Sequence, residues 1–103
     1  MLVPVQPSPP DLWAAEGTLA LAAAERRTTR IVLNRLTSAS RLRESVAADM
    51  ATRRLPVLRA TLGNRTGYAQ AFSEGLGVTE SAPRSVAAAE VTALIQELQE
   101  LAA

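Results

Sequence analysis

Apolar positions along the chain alternate between two rhythms. Three short apolar runs read as β-strands: "LVPV" at 2–5, "TRIVLNRL" at 29–36 and "LPVLRATL" at 55–62. Ile31, Val32 and Leu33 are consecutive and apolar, as expected of a strand covered on both faces. Pro56 removes a ladder donor and so belongs at a strand start or on an edge. Between these runs, apolar residues recur every three or four positions. Leu12, Ala15, Leu19 and Ala22 mark one helix face, fading near Glu25–Arg27, and Leu42, Val46 and Met50 mark the next. A short helix is expected around Tyr68–Ser73, before Gly75. A final one should carry the stripe Ala87, Val91, Leu94, Leu98 and Leu101.

Punctuation between the segments agrees. Ser8-Pro9-Pro10-Asp11 has a capping hydroxyl, a proline at the first helical position and a carboxylate three residues after the serine. "TSAS" at 37–40 supplies caps at Ser38 and Ser40, and Ser85 can cap the final helix. Arg53 and Arg54 suit a helix C-terminus. "GLGVTESAPRS" reads as a loop. The order is β-α-β-α-β-α-α. Helices between strands are what parallel pairing requires, so the class is α/β with three parallel strands and crossover helices. One side of the 2–5 strand lacks a partner.

Composition narrows the chemistry. In 103 residues, 48% hydrophobic, there is no Cys and no His. That excludes disulfides, thiol nucleophiles, imidazole bases and the usual zinc sites, and it leaves the serines without an activating base. No apolar run approaches the ~20 residues of a membrane span, and a cytoplasmic location is expected. Glu97 and Glu100 read as solvated helix-surface residues, and Glu90 as another or as the cap of a contact.

The net charge of +1 conceals an asymmetry. From Arg26 to Arg65 there are ten arginines against Glu44 and Asp49, while both flanks are acidic. A block of this kind on one surface would meet phosphate. All eleven basic residues are Arg and none is Lys.

Four stretches in order carry a resemblance: "LVPVQPSPPDLWA", "RIVLNR", "LPVLRATLGNRTGYAQAFSEGLGV" and "SVAAAEVTALIQELQEL". Together they resemble the C-terminal half of ParA-type partition ATPases, of the MinD/ParA family of P-loop proteins, over essentially the whole chain. The resemblance implies the C-terminal half of a P-loop NTPase-like sheet. It implies that Asn34, whose carboxamide offers a donor and an acceptor, contacts the edge of adenine, and that Thr61 and Leu62 lie in the segment closing over that base. Arg65 takes the place of an arginine through which ATP-bound dimers hold DNA without sequence preference. A second basic position of the family falls nearest Ala39, with Arg41 two residues on.

The family's cofactors are ATP and Mg²⁺, held by a Gly-rich loop with two lysines. This chain has neither that loop nor any Lys. It is expected neither to bind nucleotide tightly nor to hydrolyse ATP alone, and it reads as truncated or misannotated at its start, or as the product of a decayed gene. The implied function of an intact member is segregation of plasmids or chromosomes by ATP-dependent dimerisation and DNA binding. Its implied partners are a ParB-type centromere-binding protein, non-specific DNA, and a second copy or a full-length homologue, on the nucleoid of a bacterial cytoplasm. The alternative is a non-catalytic remnant that pairs with a full-length homologue and binds no nucleotide.

Overall fold

The computed structural model describes residues 1–37 and 40–102, with the side chains of 40–43 outside the description. The elements run β1 (Leu2–Val5), α1 (Pro9–Ala24), β2 (Arg30–Leu36), α2 (Ser40–Thr52), β3 (Val57–Gly63), α3 (Thr66–Ser73), α4 (Val78–Ser81) and α5 (Val86–Ala102). The three strands form one open parallel sheet in the order β1-β2-β3. The α/β class expected from the sequence is therefore the class observed. The stretch "GLGVTESAPRS" differs from its loop reading. It holds the single turn α4, whose Glu80 carboxylate accepts from the Gly77 N–H at 3.0 Å.

Alternate residues of the strands bury opposite faces. Val5, Ile31 and Leu33 pack on Leu12 and Ala15 of α1 and on Val46 and Met50 of α2. Val32 and Leu58 turn the other way, onto Leu94 of α5, with Ala60, Leu62 and Leu98 beside them. This two-sided cover is why the Ile31–Leu33 run is apolar without alternation. A third, smaller cluster joins the last helices through Ala71, Val78, Ala87 and Ala88. Leu101 departs from its expected place in the stripe and is 49% exposed.

The caps follow the sequence. The Asp11 N–H donates to Ser8 Oγ at 3.4 Å, and the Ser8 hydroxyl donates to the Asp11 carboxylate. Ser85 Oγ accepts from the Ala88 N–H at 3.1 Å. The readings of Ser38, Ser40 and Leu42 fall outside the described residues and side chains. Helices α1, α2 and α3 all close with the chain in the left-handed region, at Arg26 (φ 56°), Arg54 (φ 54°) and Gly75 (φ 71°). In each, the next N–H reaches back to a carbonyl in the last turn: Arg27 to Ala22, Leu55 to Met50, Leu76 to Ala71. Only the third uses glycine. The arginines accept a cost of about 1 kcal/mol for that conformation and place positive charge at helix C-termini, where the dipole favours it.

The two sheet edges differ. Among the described residues β1 pairs with β2 alone, so its outer edge has no strand neighbour there. Leu2 and Pro4 on its uncovered face are exposed. The outer edge of β3 is protected. Glu97 of α5 accepts from the Arg59 and Ala60 N–H groups at 2.9 and 2.8 Å, and Glu90 accepts from the Gly63 N–H at 3.0 Å. Two carboxylates thus do for this edge what another strand would do. The surface reading of Glu97 is corrected: its side chain is 12% exposed and is bound to backbone.

Candidate functional site

Open parallel sheets bind ligands beyond the carboxyl ends of their strands. Here that end is shaped by an irregularity in β2. Leu33 pairs with Thr61 and Leu36 with Gly63, so three steps of β2 face two of β3. The extra residue lies in Asn34-Arg35. Arg35 takes a left-handed conformation (φ 54°), and its N–H donates to Asn34 Oδ1 at 3.0 Å. One of the two acceptor positions on the Asn34 carboxamide oxygen is thereby used locally. Its Nδ2 donor makes no hydrogen bond among the described residues.

A groove of about 700 Å³ opens beside this bulge. Asn34, Arg35, Leu62, Arg65, Tyr68 and Phe72 all border it. The fold therefore brings Asn34 to Leu62 and Arg65, which lie 28 and 31 residues further along the sequence. Thr61 is on a neighbouring groove of about 410 Å³, with Leu36, Thr37, Arg65 and Glu90. The structure separates it from Asn34 and Leu62, because adjacent strand residues face opposite ways. Arg41 belongs to α2 by its backbone, but its side chain, like all of Ala39, lies outside what is described.

Arg65 is held rather than free. Its Nε lies 2.7 Å from Glu90 Oε1, and a second nitrogen lies 3.4 Å from Oε2. The hydrogen bond to Glu90 raises the guanidinium pKa above its ordinary value. Tyr68 donates from its hydroxyl to the same carboxylate at 3.0 Å. Burial, followed by that hydrogen bond, pushes the Tyr68 pKa up to about 12. Glu90 therefore collects three donors: the Gly63 N–H, the Tyr68 hydroxyl and the Arg65 guanidinium.

The arginine block of the sequence does not share one surface. Arg26, Arg27, Arg30, Arg53 and Arg54 flank the N-terminal ends of β2 and β3, which the Ile31 N–H to Pro56 carbonyl bond holds together. Arg35 and Arg65 stand at the opposite, C-terminal end. Several charges are already paired. Arg53 bridges Glu16 and Asp49, and Arg59 meets Glu97 and Glu100.

Glu90, Glu97 and Tyr68 carry much of this geometry; the sequence offered the cap of a contact as one reading of Glu90, and gave no such role to Glu97 or Tyr68. A signal existed. Positions 90 and 97 are seven apart, on the same helix line as Leu94. That spacing puts both carboxylates beside the buried stripe rather than on the solvent face.

The chemistry of the groove is set by its lining. It offers an amide donor at Asn34 and apolar or aromatic walls at Leu62, Tyr68 and Phe72. No phosphate loop with lysine exists in the sequence. Among the described residues, no group of three or more metal-ligating side chains is clustered for a cation.

No family model matches the chain. The chain is similar to the maintenance of carboxysome distribution protein A of Halothiobacillus neapolitanus. The two are 30% identical over 104 residues, covering 95% of this chain and 48% of that protein. The chain spans about half the length of this relative. No helix among the described residues is long and apolar enough to cross a membrane.

Proposed function

We propose that this chain is the C-terminal part of a ParA-like ATPase domain, whose complete form distributes a cargo in the cell by ATP-dependent dimerisation and DNA binding. The observation that carries the reading is the groove beyond the strand ends, where Asn34, Leu62 and Arg65 meet although 28 to 31 residues of sequence separate the first from the others. The likeness to a carboxysome-distribution protein supports the positioning of cargo as the general task. Plasmid or chromosome segregation with a ParB-type partner is one form of it.

Within this reading Asn34 gives its Nδ2 hydrogens to a base edge, and Leu62 packs against the ring. Thr61 acts from the adjoining groove, Arg65 contacts DNA phosphate, and Arg41 is its second contact. The triphosphate and Mg²⁺ are held by a phosphate-binding half, so this chain alone turns over no ATP. Titration of millimolar adenosine or ADP into isotopically labelled protein, followed by amide NMR, tests the base site. Shifts centred on Asn34, Arg35 and Leu62, lost in Asn34→Ala, are expected. Shifts scattered over the surface, or unchanged by Asn34→Ala, refute the role of Asn34. A second reading rests on the unpaired outer edge of β1: a non-catalytic chain that pairs with a full-length homologue. It requires binding to that homologue with no response to nucleotide.

A further inference from the structure

We infer that Glu90 is a latch on Arg65, holding the guanidinium closed across Gly63 until a nucleic-acid phosphate displaces it; this rests on the reading of Arg65 as a phosphate contact. Of the two guanidinium edges that present paired N–H groups, the one formed by Nε and Nη2 is turned onto Glu90, at 2.7 and 3.4 Å, and is withheld from a phosphate there. The guanidinium lies so close over Gly63 that a Cβ there would sit 2.9 Å from its Nε. Glycine at 63 therefore leaves room for the closed position.

The latch can also open. Glu90 is 16% exposed, and a carboxylate stranded at that depth would resist losing its partner. Here it is not stranded. When Arg65 leaves, the Gly63 N–H at 3.0 Å and the Tyr68 hydroxyl at 3.0 Å still donate to it. Arg65 itself is 41% exposed and borders both grooves, so its outward path is clear. An incoming phosphate exchanges one anionic partner of Arg65 for another. The closed state withholds one cationic contact from DNA, and the open state supplies it.

Two substitutions open the latch by unrelated means. Glu90→Gln removes the charge and keeps an oxygen acceptor. Gly63→Ala pushes the guanidinium away and alters no charge. The readout is binding of a short mixed-sequence duplex DNA across a salt series, with circular dichroism confirming the fold of each variant. Both variants should bind more tightly than wild type. Each should steepen the plot of log K against log salt by about 0.9, the value for one more phosphate contact. Arg65→Ala should cost more in either variant than in wild type. Glu74→Gln, the same charge change at an exposed residue, should give a smaller gain that does not depend on Arg65. Equal losses on Arg65→Ala in all three backgrounds would show that Arg65 contacts phosphate without a latch, and would overturn the inference alone. No loss in any background would overturn both the latch and the phosphate role.

Discussion

Replacing Glu97 should cost far more stability than replacing its exposed neighbour Glu100. Its two oxygens accept from consecutive N–H groups of β3, Arg59 at 2.9 Å and Ala60 at 2.8 Å. Hydrogen bonds to a charged acceptor are worth about 1.5–3 kcal/mol each, and a buried donor left alone costs about 1–3 kcal/mol. The Arg59 N–H is exposed and recovers water, whereas the Ala60 N–H is partly buried and does not fully do so. A net loss of about 2–4 kcal/mol is therefore expected for Glu97→Ala. Against a total stability of about 5–15 kcal/mol, that is a large share. It corresponds to a fall in Tm of about 10–20 °C for a domain of this size.

Glu97→Gln is not a conservative control. Its amide can accept from one N–H, but its NH₂ then faces the other, donor against donor. It should cost at least half as much as alanine. Glu100, 67% exposed and bound only to Arg59, should change stability by less than about 0.5 kcal/mol when replaced. Urea unfolding followed by far-ultraviolet circular dichroism measures all three. The acid limb adds a second check. Burial pushes the Glu97 carboxyl up, but the backbone donors of Arg59 and Ala60, with the Arg59 charge, outweigh it and hold it below its ordinary 4.5. A depressed carboxylate stabilises fully above its unfolded-state value and loses that contribution as pH falls through its folded value. The Glu97→Ala penalty should therefore be constant at neutral pH and shrink on acidification below about 4.5. A Glu97→Ala protein within about 0.5 kcal/mol of wild type at neutral pH would refute the clamp.

Tyr68→Phe removes hydroxyl contacts to Glu90 at 3.0 Å and to the Ala87 carbonyl at 3.3 Å, and should cost about 1 kcal/mol. Because burial and then the Glu90 contact raise its pKa to about 12, the tyrosine contribution is complete below pH ~10 and disappears as pH rises towards 12; absorbance titration at alkaline pH should show late ionisation, and ordinary ionisation near 10 would contradict it. At the other edge, β1 offers unpaired backbone groups beside exposed Leu2 and Leu101, so the protein should self-associate with concentration. Leu2→Lys should suppress that association in sedimentation velocity, since an edge charge opposes strand addition, and no difference between the two proteins would exclude this edge.

Local sequence was sufficient for the elements and their class. Consecutive apolar residues at Ile31–Leu33, three- and four-residue spacing at Leu12–Ala22, and the hydroxyls of Ser8 and Ser85 each act within a few residues of themselves. Helices between strands then force parallel pairing, because the chain must return to the same end of the sheet. The single turn at Val78–Ser81 escaped because its apolar partners, Ala71 and Ala87, lie on other helices.

The site was legible only as separate residues. That Asn34, Leu62 and Arg65 share a groove while Thr61 faces another depends on the β2–β3 register and its bulge, and nothing within either strand specifies which residue of the other it meets. Charge is the clearest case. Ten arginines in forty residues look like one basic surface, but crossover helices carry successive loops to opposite ends of the sheet and so divide them. Whether a given charge is available is likewise a long-range property. Arg65 and Glu90 are 25 residues apart, and Glu97 reaches 37 and 38 residues back to the β3 edge. A sequence shows that such carboxylates exist, but only the packing of α5 against β3 decides that they bind backbone and arginine instead of water.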